Sequence, residues 1–226
     1  MATGSVRSGA SRDDAGGNLR ERQKLKRRSQ ILDAAETLFN GEGYDQTTIG
    51  EIAKLAEVSA ATIHNYYQGK GEILLALVER TDEAILQEIR KMAALKSADP
   101  TDTMNRALEM ITVQSLKCLQ HHVWRHAIAI SITREDPEFG VGFSAAHKRF
   151  IGAISLIVQS LIEHGALLKT VDPRVFASVL YKIQHALFIE LIVETTIDLK
   201  RYRKTQQEHI NLVLSGLIPH RRPLAQ

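Results

Sequence analysis

Cysteine is almost missing from these 226 residues: Cys118 stands alone, so no disulfide can form within the chain. Proline and glycine are sparse, at five and 14 residues, whereas Ala, Leu, Ile, Glu, Gln and Lys abound, which excludes an all-β architecture and favours helices. No basic-then-apolar leader with a cleavage site opens the sequence, and with the lone thiol this sets the expected home as the cytoplasm. Long hydrophobic runs are also lacking. The apolar stretch from Ile154 to Val158 ends at Gln159, and that from Leu187 to Val193 is broken by Glu190, both well short of the ~18 residues of a membrane span, so neither a transmembrane helix nor a membrane partner is expected. A large charge of one sign is absent as well, the net value being only +3. What is present, 44% hydrophobic and 24% charged residues, is enough to build a core and excludes a wholly disordered or collagen-like chain.

The charge is unevenly spread. Residues 1–30 hold eight basic groups against three acidic ones, and such an arm suits phosphate or serves simply as a solubilising tail. Gly, Ser, Ala and charge dominate residues 1–19, which are expected to be a disordered basic arm. Ile31, Ala35, Leu38 and Phe39 then recur at helical spacing up to a breaker at Gly41-Glu42-Gly43. Thr48-Ile49-Gly50-Glu51 has the form of a capping box, followed by the apolar Ile52, Leu55 and Ala56. Ser59 is the next N-cap, with Ile63 and Tyr67 on the buried side of a third short helix. From Lys70 a periodic run of Ile73, Leu74, Leu77, Val78, Ile85, Ile89 and Met92 marks a long connecting helix. Five more helical segments follow, near 101–119, 123–133, 138–164, 173–197 and 201–217, with Asp99-Pro100, Asp136-Pro137 and Asp172-Pro173 each reading as an N-cap with Pro at the first helical position. The expected architecture is all-α with nine helices: a helix-turn-helix DNA-binding domain over 20–75, a helical effector-binding and dimerisation domain over 76–219, and a tail at 220–226.

Two short helices joined by Glu57-Val58-Ser59, with a helix before and after, are the layout of a DNA-binding helix-turn-helix. A recognition helix must be held from its apolar side, while small residues at its N-terminus let the backbone approach the major groove. Ala60 and Ala61 are small enough. On this reading Ala60, Ala61, Thr62 and Asn65 face base edges, His64, Tyr66 and Lys70 bond the phosphate backbone, Thr48 holds the second helix to a phosphate, and Ser59 is a further DNA-binding candidate. The block from Gly43-Tyr44 through Thr47-Thr48-Ile49-Gly50-Glu51-Ile52-Ala53 to Tyr66-Tyr67-Gln68-Gly69-Lys70 resembles the N-terminal domain of TetR-family transcriptional regulators, over roughly residues 24–75. Three positions depart from the family pattern: Glu57 stands where a turn glycine is usual, His64 where a phosphate-touching tyrosine is frequent, and Gly69 where a Ser or Asn cap is usual.

The resemblance implies a homodimer whose two N-terminal domains enter successive major grooves of a pseudo-palindromic DNA operator, and a C-terminal domain that binds a small, largely hydrophobic effector. The apolar residues of the last two long helices support a dimer separately, because Val179, Ile183, Leu187 and Leu191, with Leu214 and Leu217, wrap more of each helix than one neighbour can cover. Met104, Met110, Trp124, Phe143, His147, Tyr181, His185 and Phe188 are candidates for the effector cavity, each being equally suited to plain core packing. His121, His122 and His126 are too few ligands for a metal, and no cofactor is expected. Glu-x-x-His, His-Glu-x-x-His, Gly-x-Ser-x-Gly and a complete phosphate loop are all missing, which argues against an enzyme. The sequence therefore reads as a ligand-responsive repressor. An activator or co-ligand-dependent DNA binder of the same fold, and a helical protein-interaction adaptor, are the alternatives.

Overall fold

The computed structural model describes residues 13–95, 99–133 and 136–219, with side-chain surroundings from Leu19 onward. Residues 1–12 of the arm expected over 1–19, and the tail over 220–226, lie outside the described residues. Among those described there are nine helices and no strand: α1 (Asp13–Gly41), α2 (Ile49–Leu55), α3 (Ala60–His64), α4 (Lys70–Ala94), α5 (Pro100–Cys118), α6 (His121–Thr133), α7 (Pro137–Glu163), α8 (Pro173–Val193) and α9 (Leu199–Ser215).

Two boundaries differ from expectation. Helix α1 starts at Asp13, inside the stretch expected to be disordered. From Leu19 to Gln30 its residues are all exposed, and the first buried one is Ile31. A helix already nucleated by the packed turns at Ile31, Leu32, Ala35 and Phe39 extends at little cost through the proline-free run of good helix formers from Leu19 to Arg28, although Gly16-Gly17-Asn18 before it favour a helix poorly. Helix α8 stops at Val193 rather than near 197, because Asp198 caps the next helix, its carboxylate accepting from Arg201 N at 2.9 Å. The three Asp-Pro caps form as expected: Asp99 Oδ1 accepts from Thr101 N at 2.9 Å, Asp136 Oδ1 from Phe139 N at 3.0 Å, and Asp172 Oδ1 from Val175 N at 2.8 Å.

Two large apolar clusters hold the chain together. One joins Ile31, Phe39, Ile52, Ile63 and Leu74 of the first four helices, with Tyr67 from the link between α3 and α4, and continues without a break into Val123, Trp124, Phe139 and Phe188 of the C-terminal part. The other packs the far half of α4 against α5, α7, α8 and α9 through Ile89, Leu108, Ile154, Leu180 and Ile210. Helix α4 is thus a shared beam, and the N-terminal helices rest on the body that follows.

Helices α7 and α8 are long and apolar enough to cross a bilayer by length and composition alone, which the breaks at Gln159 and Glu190 had argued against. Here their apolar sides are spent on the core, Phe143, Phe150, Ile154 and Val158 from α7 meeting Phe176, Leu180 and Leu191 from α8 or their neighbours. The expected dimer residues divide along the same line. Leu187 and Leu191 pack with Tyr202 inside the chain and Leu214 is fully buried, so these three serve the core and are not free for a partner. Ile183 and Leu217 are half-buried, and Val179 is exposed. The outward stripe of α8 is instead Val175, Val179, Lys182, Ala186, Glu190 and Val193. Leucine richness did not reveal this, because the core takes the longer side chains and leaves the valines outside.

Candidate functional site

The helix-turn-helix is assembled from its caps inward. Thr48 caps α2 in a full capping box: its Oγ1 accepts from Glu51 N at 3.2 Å and its backbone N donates to Glu51 Oε2 at 2.7 Å. Hydrogen bonds from Thr48 hold the Glu51 carboxyl below its ordinary pKa. The Thr48 hydroxyl also lies 2.7 Å from Glu51 Oε2 as donor, so this residue is committed within the box rather than open to a phosphate. At the turn, Glu57 has φ +54, the left-handed region that explains why glycine suits this place. Ser59 then caps α3, its Oγ accepting from Thr62 N at 3.0 Å, and is occupied as a cap.

Behind α3, Ile63 and Tyr67 are buried. Arg28 of α1 reaches over to donate from Nε to the Tyr67 hydroxyl at 3.1 Å and sets its guanidinium 5.7 Å above the ring centre. In front, Ala60, Ala61, His64 and Asn65 are exposed, with Thr62 and Tyr66 half-buried at the margin. This is a short helix pinned from behind with a low-profile outer face, as major-groove entry requires. The exposed half of α1 adds Arg20, Arg22, Lys24, Lys26 and Arg27 on a helix beside the same unit.

Lys70 does not stand free. Its Nζ donates to the carbonyls of Tyr44 at 2.8 Å and Asp45 at 3.2 Å and lies 4.7 Å from the centre of the Tyr44 ring. It therefore braces the loop before α2 against the start of α4, a correction to the expected open phosphate contact. The Tyr44 hydroxyl is pushed up to about 12 by burial, then by Asp136 and Asp45. That loop also touches the C-terminal body: His126 Nε2 on α6 pairs with Asp45 Oδ2 at 2.7 Å, and its ring stands edge-on to Tyr44 at 4.8 Å. Nearby, Asn40 Nδ2 donates to Cys118 O and its Oδ1 accepts from Gln120 N, both at 2.8 Å, while His122 Nε2 lies 3.1 Å from Phe39 O. The histidine cluster at 121–126 thus serves domain contact. No group of residues suited to a metal occurs among those described.

A narrow internal cavity of about 30 Å³ lies between α4, α5, α6, α7 and α8. Six of the eight expected effector residues line it: Trp124, Phe143, His147, Tyr181, His185 and Phe188. Met104 does not, being buried in the second core beside Leu108, and half-buried Met110 lies outside the cavity too. Thioether flexibility suggested them, but Met104, in phase with the cavity residue Ile111, lies two turns further along α5, and Met110 points to another side of that helix. The sequence reading missed Asp82, Ile111, Phe150 and Gln184, which also line the wall. His147 is pushed down to about 4 by burial, then by His185, and burial lowers His185 too, so both imidazoles are neutral near pH 7. Asp82 is pushed up to about 7 by burial, with Arg149 working against the shift.

Comparison with known proteins agrees with this geometry. Residues 31–77 match the sequence model of the bacterial regulatory proteins of the tetR family. The HTH-type transcriptional regulator YhgD of Bacillus subtilis is 28% identical over 173 residues, 74% of this chain and 84% of its own. Several other curated relatives align over less than half of their own length. A tetR-family regulator from Mesorhizobium loti superposes with a TM-score of 0.71 at 18% identity, covering 86% of this chain and 98% of that one. SmeT, the repressor of the Stenotrophomonas maltophilia efflux pump SmeDEF, superposes at 0.63 with 20% identity over 88% of this chain and 97% of its own, and is also known as a complex with triclosan. Residues 31–77 are accordingly similar to the DNA-binding domain of the tetR family of bacterial regulatory proteins, and the chain shares the fold of tetR-family regulators.

Proposed function

We propose that the protein is a homodimeric repressor, acting in the cytoplasm, that grips a pseudo-palindromic operator and releases it when a small hydrophobic effector enters the cavity. The observation that carries this reading is the exposed face of Ala60, Ala61, His64 and Asn65 on a helix pinned from behind by Ile63 and Tyr67. Ala60, Ala61, Thr62 and Asn65 meet base edges, His64 and Tyr66 the sugar-phosphate backbone, and the basic turns of α1 supply most of the salt-dependent attraction. Thr48, Ser59 and Lys70 act behind these, as caps and brace. The similarity to SmeT supports repression and an apolar effector.

Release has a physical route in α6. Trp124 lines the cavity, and two residues on, His126 holds Asp45 in the loop before α2. An effector that displaces Trp124 moves α6 and, through His126, the setting of the helix-turn-helix. At the same junction Gly71 in the first turn of α4 sits so close to Asp136 that a Cβ there would fall 2.6 Å from its Oδ2, so a side chain at 71 would push that carboxylate aside.

The test is selection of sheared DNA from the source genome at about 150 mM salt, with sequencing of what is retained. One pseudo-palindrome, its sequence preference changed in Asn65→Ala, is the expected result. Retention without sequence preference would overturn the reading.

A further inference from the structure

The cavity wall carries two buried acceptor atoms with no hydrogen-bond partner. Asp82 is 3% exposed and Gln184 2% exposed, both line the wall, and Asp82 Oδ2 and Gln184 Oε1 have no hydrogen-bond partner. Arg149 Nη2 lies 3.9 Å from Asp82 Oδ2, a charge neighbour beyond hydrogen-bond reach. Orphaned buried acceptors are rare in native cores, since each forfeits its bonds to water.

The orientation of the Gln184 amide is set by a relay that begins at a fixed carbonyl. Gln206 Nε2 donates to Asn105 O at 3.0 Å, so its Oε1 accepts from the Tyr202 hydroxyl at 2.7 Å. With its proton so used, Tyr202 Oη accepts from Thr112 Oγ1 at 2.6 Å, and Thr112 Oγ1 in turn accepts from Gln184 Nε2 at 2.9 Å. Each nitrogen and hydroxyl in the series donates once, and the atom left with no partner is Gln184 Oε1, an acceptor. Around the two acceptors stand aromatic rings: Trp124 meets Phe188 edge-on at 5.4 Å, Phe150 and Tyr181 stack at 5.8 Å, and Phe143 adjoins neutral His147 at 4.8 Å. Two acceptors and several π-faces with no cation among the rings describe a closed host of about 30 Å³ that must widen, by displacement of rings such as Trp124, to take a donor-bearing guest.

Resting on the reading of this cavity as the effector site, we infer that its ligand is an aromatic or alkyl-aromatic amine, bound as the ammonium with its N–H donors on Asp82 Oδ2 and Gln184 Oε1 and its apolar part among Trp124, Phe150, Tyr181 and Phe188. A carboxylate of the same size is rejected, because it would face Asp82 and leave both acceptors unpaired.

Three probes of one shape decide this: phenethylamine, ethylbenzene and 3-phenylpropionate, titrated into the full-length protein and followed by the emission of Trp124, its sole tryptophan, and by thermal shift. The amine is expected to bind at least tenfold more tightly than either analogue. Asp82→Asn should remove that preference while leaving ethylbenzene binding as it was. Equal or tighter binding of the hydrocarbon or the carboxylate, an amine preference that survives in Asp82→Asn, or no saturable response to any probe would overturn the inference. Should Asp82→Asn fail to fold, the ranking of the three probes on the parent protein decides alone. No DNA is used, so a wrong ranking leaves the operator reading untouched, and loss of DNA binding would leave the ranking intact.

Discussion

Glu57 shows how one residue can mark a functional turn by being out of place. With φ +54 it occupies a backbone region costing an L-residue about 1 kcal/mol, between two helices that must keep a fixed angle. Its side chain is exposed, so no contact repays the strain. Glu57→Gly is therefore expected to raise stability by about 0.5 kcal/mol, the relief being partly offset by the freer unfolded chain, and Glu57→Val to lower it by 1 kcal/mol or more, roughly. Urea denaturation of both variants checks the sign. Asp82 was hidden for the opposite reason: it sits in Glu79-Arg80-Thr81-Asp82-Glu83, which reads as a solvated run, although its phase with Val78, Ile85 and Ile89 puts it on the buried stripe. Its folded pKa of about 7 exceeds the ordinary 3.8, so the folded state holds a proton that the unfolded state gives up. Its stabilising contribution is complete below pH 3.8 and lost as pH rises to 7. Asp82→Asn, which never ionises, should stabilise the protein more at pH 8 than at pH 5, by roughly 2–3 kcal/mol. An equal gain at both values would show that Asp82 titrates normally.

Elements were legible where a cap or a period announced them. Thr48 with Glu51, Ser59, and the three Asp-Pro pairs set helix starts by local hydrogen bonding that needs no knowledge of the fold. The start of α1 and the inward turn of Leu187 and Leu191 were not, since both depend on what packs against a helix rather than on its own residues. Lys70 belongs with these. Its charge and position at the head of α4 suggested a phosphate contact, whereas two carbonyls in the loop before α2 hold its ammonium. A brace and a phosphate ligand differ in a measurable way. Lys70→Ala should weaken DNA binding severalfold across all sequences and lower the melting temperature, yet leave the slope of log affinity against log salt unchanged. A slope reduced by about 1 would instead mean that Lys70 leaves its carbonyls for a phosphate when DNA binds.

At the scale of the whole molecule the outer stripe of α8 suggests its own partner, and symmetry makes the suggestion specific. A two-fold interface sets each residue opposite one equally far on the other side of the crossing point. Ala186 is exposed and small enough for two helices to approach, and counting four residues either way gives Lys182 and Glu190, about 6 Å along the axis on each side. Counting seven gives Val179 and Val193, both exposed. In the proposed homodimer, an antiparallel pairing of α8 about Ala186 would set Lys182 against Glu190 of the second copy, twice, inside a frame of valines. Had the stripe served solvent alone, nothing would require opposite charges and matched valines at equal distances from one alanine. Lys182→Glu should raise the dimer dissociation constant at least tenfold by sedimentation equilibrium, because two repulsive pairs replace two attractive ones. Adding Glu190→Lys to it reverses both signs and should restore most of the association. If the double variant is no better than Lys182→Glu alone, the two residues do not face each other, and the crossing lies elsewhere on α8 or on α9.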